Sequence, residues 1–84
     1  MRQCMITFRS VTPAQRGESV LRRAGISCTL QRTPRMLEEM GCGYCIKLGC
    51  SWIPQALELL QSQQIPYRKV YFSRPGDRPE EMHL

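Results

Sequence analysis

Two strand–helix–strand units follow one another along this 84-residue chain, and this order of elements limits the number of folds that the chain can adopt. Residues 4–9 alternate apolar and polar side chains, as a half-buried strand does. A helix follows, for which Thr12 and Pro13 predict a capping box with proline at the first helical position. Its apolar residues recur every three or four positions until Gly25, and residues 26–31 alternate as a second strand.

The second unit repeats this order. Residues 44–49 alternate as a third strand, and Ser51 is the predicted cap of a second helix whose first turn holds Pro54. Residues 67–72 alternate as a fourth strand. Residues 73–84 have no periodicity and are rich in proline and charge, so we predict a flexible C-terminal tail there.

Two right-handed βαβ units in succession predict an α+β fold, the ferredoxin-like βαββαβ sandwich. This fold has a four-stranded antiparallel sheet with two helices on one face. We expect it to form one domain over residues 1–72, with residues 73–84 as the tail. Its strands point up, up, down and down, so the start of the first helix and the start of the third strand share one edge.

Composition excludes several classes of function. The net charge is +5, but the arginines are scattered, which is typical of solvated faces and makes a nucleic-acid surface the minor alternative. The apolar stretches are far shorter than the roughly 18 residues of a membrane span. A chain of this length rarely builds a deep substrate cleft. A carrier, binding or interaction protein is therefore favoured over an enzyme, although enzymatic activity is left open.

Five cysteines form an odd set, which fits poorly with a fully paired disulfide framework. The first residues also lack the apolar run of a secretory signal. We therefore expect a cytoplasmic protein with reduced thiols. A four-thiolate metal site needs its ligands within a few ångströms of one ion, and the predicted fold spreads the cysteines over both edges. We predict no intrachain metal site.

The segment from Met40 to Cys45 has the strongest signal for reactivity, because it sets two thiols three residues apart in a turn with two glycines. The predicted topology brings Cys42 to the start of the first helix, where the helix dipole lowers the pKa of a thiol. Arg35 and Lys47 are within reach in the predicted fold and favour the thiolate further. Cys42 is the candidate reactive thiolate, and Arg35, Lys47, Gly43 and Arg9 are the candidate binding residues.

The same segment allows two other interpretations. Cys42 and Cys45 have the C-x-x-C spacing of a dithiol pair, but Cys45 in an extended strand would lie about 10 Å from Cys42, beyond bonding range. Cys45 is otherwise a small residue on the sheet face without helices. Met5, Thr7 and Arg9 are expected beside Cys45 on that face. An uncovered face of this kind predicts a homodimer, with a small-molecule pocket as the alternative.

Several short motifs in a fixed order connect the chain with a known family. They are Ile6-Thr7-Phe8 with Ser10, Ala24-Gly25-Ile26, Thr33-Pro34-Arg35, Cys42-Gly43 and Lys69-Val70-Tyr71. Over about residues 5–72 this succession resembles the selenium/sulfur (Se/S) carrier protein-like family of small bacterial and archaeal domains. The resemblance implies that Cys42 is the carrier thiol and that Arg35 and Lys47 are the basic positions. Cys45 stands where a small residue without a thiol is expected, and the tail lies outside the pattern.

The resemblance implies sulfur trafficking, in which Cys42 accepts a persulfide or perselenide and passes it to an acceptor protein. The expected donor is a cysteine desulfurase, and the transient persulfide takes the place of a resident cofactor. Two alternatives stay open. One is a dithiol redox module that uses Cys42 and Cys45, and the other is a noncatalytic ligand- or protein-binding domain.

Overall fold

The structure, a computed structural model, describes residues 3–32, 43–73 and 80–82. These residues contain five strands and two helices. The strands are β1 (Gln3–Phe8), β2 (Cys28–Arg32), β3 (Tyr44–Gly49), β4 (Val70–Ser73) and β5 (Glu80–Met82). The helices are α1 (Val11–Arg23) and α2 (Ile53–Ser62), and a 3₁₀ turn over Cys50–Trp52 leads into α2.

One open antiparallel sheet holds all five strands in the order β2-β3-β1-β4-β5. Strand β1 pairs antiparallel with β3 and β4, and β2 pairs antiparallel with β3. The pair β1–β3 runs from Gln3 opposite Gly49 to Phe8 opposite Tyr44. The chain is therefore a mixed α+β protein, with β1 and β2 parallel to each other and antiparallel to β3, as the sequence predicts.

The prediction of four strands is wrong by one. Strand β5 lies within the predicted tail and pairs antiparallel with β4. An ion pair of 3.2 Å between Lys69 Nζ and Glu81 Oε1 ties β5 to the residue that precedes β4. The signal was absent because a strand of three residues is too short to show periodicity, and its pairing is made with a distant part of the chain.

The main core lies between the helices and one face of the sheet. The inward residues of β1 and β3 pack there against Ala14 and Leu21 of α1 and Leu60 of α2. A Cβ atom at Gly17 would lie only 3.1 Å from Leu60 Cδ2 and 3.2 Å from Ile46 Cδ1. The absence of a side chain at Gly17 therefore lets α1 approach both α2 and the sheet closely.

Both helices end in the same way, with hydrogen bonds that close a left-handed turn. Gly25 has φ +84°, and the N–H of Ile26 donates to the carbonyl of Leu21 at 3.0 Å. At the end of α2, Gln64 has φ +56°, and the N–H of Ile65 donates to the carbonyl of Leu60 at 2.9 Å. Gly25 ends α1 as its sequence predicts, because glycine accepts positive φ without a steric penalty.

The predicted helix starts need correction. Helix α1 begins at Val11 with Ser10 as its N-cap, so Thr12 does not cap it. Helix α2 begins at Ile53 after the 3₁₀ turn, with Trp52 rather than Ser51 as its N-cap. Neither cap residue makes a side-chain hydrogen bond to its helix. Among the residues that the structure covers, no helix has the length and apolar character of a membrane span.

The sheet face opposite the helices differs from the prediction. We expected it to be uncovered, yet Met5, Cys45 and Tyr71 form a second buried cluster there, with exposures of 3%, 0% and 7%. Thr7 on the same face is also buried. A face that is already buried within one chain has no apolar surface at these positions to offer a second copy. The homodimer that the sequence predicts through this face stays a prediction.

Candidate functional site

The start of β3 and the start of α1 meet at one edge of the sheet. Here an edge means the side of the sheet that is formed by the ends of the strands, not an outermost strand. Phe8, the last residue of β1, is the register partner of Tyr44, the first residue of β3. Arg9 follows Phe8 and Gly43 precedes Tyr44, so Arg9 and Gly43 lie at the same end of this strand pair. Arg9 is exposed and Gly43 is partly buried. Helix α1 begins two residues after Arg9, which brings its first turn to this edge.

The start of α1 is electrostatically positive. The side chain of Ser10, the N-cap residue, makes no capping hydrogen bond to α1, and the first turn contains no acidic residue. The first N–H groups of a helix have no partner within the helix, and the helix dipole adds partial positive charge there. This end of α1 consequently favours an anion.

Two further arginines lie at this edge and were missed. Arg32 is the register partner of Tyr44 on the side of β2, and the N–H of Arg68 donates to the carbonyl of Thr7 at 2.7 Å on the side of β4. Arg9, Arg32 and Arg68 are all exposed, and we call this group the basic edge. Each of these arginines lies at or near the end of a strand, which is the feature of the sequence that could have identified them. The strand ends predicted from the sequence differ from the observed ends by one or more residues, so the arginines were not recognised.

The structure separates Lys47 from this edge. Lys47 is four residues beyond Gly43, or about 13 Å along an extended strand. It is the register partner of Met5 and of Thr29, in the second half of β3. Lys47 therefore lies toward the far end of β3, and its predicted proximity to Cys42 stays a prediction. Cys42 and Arg35, the other predicted site residues, lie outside the described residues.

Cys45 is completely buried, with an exposed fraction of 0%. It packs with Met5 and Tyr71, and its thiol donates to the carbonyl oxygen of Arg32 over 3.9 Å from the sulfur. Thiol–disulfide exchange requires a partner to reach the sulfur. The Cys45 thiol has no such access in this structure, whereas the sequence alone left its exposure open.

Cys4 and Cys50 form a disulfide, with their Cα atoms 5.0 Å apart. The sequence placed both residues at the same edge of the sheet but predicted that all thiols are reduced, and for this pair the prediction is wrong. Cys28 and Cys45 are buried thiols. Burial raises the pKa of the Cys28 thiol, and a hydrogen bond with Arg22 opposes this effect in part.

A groove of about 590 Å³ lies at the edge opposite the basic edge. It is formed where β1 begins and β3 ends, together with the start of β2 and the 3₁₀ turn. Its lining includes Cys28, Lys47, Leu48, Cys50 and Trp52. Trp52 is 40% exposed and is a large apolar side chain at the groove surface. Groups of three or more metal-binding side chains do not occur in the described part of the chain.

Comparison with protein families decides the family of this chain. The model of the family described as "Putative Se/S carrier protein-like" matches residues 3–72. The chain belongs to this Se/S carrier family. The match spans β1 to β4 and includes the position of Cys42, and it confirms the family that the sequence motifs indicate. A search of curated proteins finds no significant match.

The description of this family suggests a carrier of selenium or sulfur and implies interaction with proteins that handle these elements. Strand β5, at residues 80–82, lies beyond the matched region. The three arginines of the basic edge all lie within the matched residues 3–72.

Proposed function

We propose that this protein is a cytoplasmic carrier in a ferredoxin-like domain, which accepts a persulfide sulfur or perselenide selenium on Cys42 and delivers it to an acceptor protein. The match of the Se/S carrier family over residues 3–72 supports this function most directly. Cys42 is the residue of the family motif whose chemistry suits this role, because a thiolate both accepts and releases a sulfane sulfur atom.

Loading proceeds by one displacement. The Cys42 thiolate attacks the terminal sulfur of the donor persulfide, the donor's sulfur–sulfur bond breaks, and the donor thiolate leaves with the electron pair. Cys42 then carries a persulfide anion, and no net electrons are exchanged. Attack by an acceptor thiolate on the terminal sulfur of this persulfide returns Cys42 to its thiolate form. A selenocysteine-derived perselenide follows the same course.

The basic edge supports this chemistry because both reactants are anions. The donor persulfide and the carrier thiolate repel each other, and cations close to the start of β3 reduce this repulsion. Arg9, Arg32 and Arg68 are exposed at that edge. The positive end of α1 lies there as well. A cysteine desulfurase fits the donor role, since its product is a cysteine persulfide on the enzyme.

The burial of Cys45 favours a carrier with one thiol over a dithiol redox module. A dithiol module would need Cys45 to reach both Cys42 and a partner, but its side chain is 0% exposed. The hydrogen bond to the carbonyl of Arg32 accounts for the orientation of this thiol without a catalytic role.

Intact-mass spectrometry tests the proposal. The full chain is incubated with a cysteine desulfurase and either cysteine or selenocysteine, and we expect an adduct of roughly 32 Da or roughly 80 Da. The adduct should disappear in Cys42→Ser and persist in the matched control Cys45→Ser. An adduct that survives Cys42→Ser, or no adduct on the wild-type chain, would refute the carrier function.

The basic edge is tested by the rate of loading. Arg9→Gln and Arg68→Gln should each slow loading about twofold to fivefold, as expected for the loss of one exposed cation near the reacting anions. Arg16→Gln, an exposed position on α1, serves as the control and should load at the wild-type rate. Equal rates in all three variants would show that the basic edge does not take part.

A further inference from the structure

We propose that the groove at the end of β3 is a thiol–disulfide exchange site, where a dithiol reductant opens the Cys4–Cys50 bond by attack on the sulfur of Cys50. This site is independent of the carrier function and lies at the opposite edge of the sheet. It uses neither Cys42 nor the C-x-x-C pair. Its substrate class is a dithiol, either a small molecule or a pair of cysteines on another protein.

Accessibility distinguishes the two halves of the disulfide. Cys4 is 0% exposed and belongs to the main core. Cys50 is only partly buried and lines the groove. An incoming thiolate approaches an S–S bond along its axis, from the side of the sulfur that it attacks. The groove offers this approach to Cys50, and Cys4 is the leaving group.

The lining of the groove suits an incoming thiolate. Lys47 contributes a cation, and Leu48 and Trp52 contribute apolar surface that can contact the remainder of the partner. The described lining residues include no carboxylate, so no acidic side chain among them opposes the approach of an anion. In this proposal Lys47 attracts the incoming thiolate at the groove, which is the edge of the sheet where Lys47 lies.

Cys28 lines the same groove but does not compete for the disulfide. Its side chain is 7% exposed, and burial raises the pKa of its thiol. The thiolate is the nucleophile in exchange reactions, so a thiol that stays protonated reacts slowly. The Cys4–Cys50 bond consequently persists beside Cys28 until a thiolate arrives from outside.

The reaction balances as a two-electron reduction. The first thiolate of the dithiol forms a mixed disulfide with Cys50, the Cys4–Cys50 bond breaks, and Cys4 leaves as a thiolate that takes up a proton. The second thiolate of the dithiol then attacks the other sulfur of the same dithiol, which is bonded to Cys50 in the mixed disulfide. Cys50 leaves as a thiolate and is protonated in turn. The products are the oxidised dithiol and two protein thiols.

The first experiment uses the intact chain in native buffer. Dithiothreitol serves as the dithiol probe, and the opened bond is followed by alkylation and mass spectrometry. Glutathione, a monothiol, is used to trap the intermediate, and we expect the mixed disulfide on Cys50. Trapping on Cys4 or Cys28, or a bond that resists dithiothreitol in the folded protein, would overturn the proposal.

The rate in low urea separates attack on the folded protein from attack after unfolding. Exchange in the groove should keep the same rate, within about twofold, at urea concentrations below the unfolding transition. A rate that rises in proportion to the unfolded fraction would overturn the proposal, because the bond would then be reached only in the unfolded chain.

Variants that keep one of the two disulfide cysteines, with Cys28 and Cys45 unchanged, test the asymmetry directly. In a Cys42→Ser background, Cys4→Ala leaves Cys50 as a thiol in the groove, and Cys50→Ala leaves Cys4 as a thiol in the core. Glutathione disulfide should modify Cys50 at least about tenfold faster than Cys4. Equal rates, or a faster reaction of Cys4, would contradict the assignment. Because the background lacks Cys42, the result does not depend on the carrier function.

The role of Lys47 is measured on the wild-type disulfide. Lys47→Gln should slow reduction by dithiothreitol about threefold, because one partly exposed cation no longer attracts the thiolate. Arg16→Gln, with the same change of charge on α1, should react at the wild-type rate. Added salt should reduce the difference between wild type and Lys47→Gln. An unchanged rate in Lys47→Gln would remove Lys47 from the site.

Discussion

Opening the Cys4–Cys50 disulfide is expected to remove a large part of the free energy of unfolding. The bond joins residues that are 46 positions apart. A cross-link of this span restricts the unfolded chain, and the chain-entropy relation gives about 4 kcal/mol at 25 °C. Natural domains have about 5–15 kcal/mol in total, so the disulfide accounts for a quarter or more of the stability.

The choice of variant follows from burial. Cys50 is partly buried, so Cys50→Ala removes the bond with little loss of packing. Cys4 is 0% exposed and belongs to the main core, so Cys4→Ala also leaves a small cavity. We expect Cys4→Ala to be less stable than Cys50→Ala by about 1 kcal/mol.

Urea unfolding followed by far-UV circular dichroism measures the effect. With a slope of about 1–2 kcal/mol per molar urea, the midpoint of the wild-type protein should fall by about 2–4 M when reductant is added. Cys50→Ala should unfold at the midpoint of the reduced wild-type protein, and reductant should leave this variant unchanged. The reasoning is refuted if mass spectrometry shows an open bond while the midpoint stays within about 0.3 M of the oxidised protein.

Three further predictions concern backbone strain, packing and ionisation. Gln64 has φ +56° at the end of α2, where glycine is favoured, so Gln64→Gly should raise the free energy of unfolding by about 1 kcal/mol. Gly25→Gln should lower the free energy of unfolding by a similar amount. Urea midpoints equal to that of the wild-type protein would contradict this reasoning. Gly17→Val should destabilise the protein by about 1–3 kcal/mol because its side chain would overlap the core, whereas Gln15→Val on the exposed side of α1 should change stability little. Burial raises the pKa of the Cys28 thiol, so the folded state holds this proton to higher pH than the unfolded state does. The stability of wild type relative to Cys28→Ala should therefore decline as the pH rises above about 7.5, where the unfolded thiol begins to lose its proton, and a constant difference in urea midpoints would refute the assignment.

Local patterns in the sequence were sufficient for most of the secondary structure. Strand β3 was predicted with its observed bounds, Tyr44–Gly49, because its alternation is regular and a glycine lies at each end. Gly25 marked the end of α1 because positive φ is favourable for glycine. The helix starts were less accurate, since Ser and Thr residues occur at several neighbouring positions and hydrogen bonding to the first turn cannot be seen in the sequence.

The candidate site was predictable in part. The topology of two strand–helix–strand units correctly brought the start of α1 and the start of β3 to the same edge, whereas Arg9 was expected on the sheet face beside Cys45 and lies instead at this edge. The same argument did not identify Arg32 and Arg68, because their positions at this edge depend on where β2 ends and on the contacts just before β4. Lys47 lies about 13 Å from Gly43 along β3, a separation that the length of an extended strand sets.

The sequence by itself determined the periodic elements, their order and the family motifs, because each depends on residues that are neighbours in the chain. Tertiary structure decided the fifth strand, the Cys4–Cys50 pairing and the complete burial of Cys45. These three features depend on distances between residues far apart in sequence. The spacing of cysteines along the chain does not give these distances. The reactivity of each thiol depends on its accessibility and its neighbours in the folded chain, so it could not be predicted from that spacing.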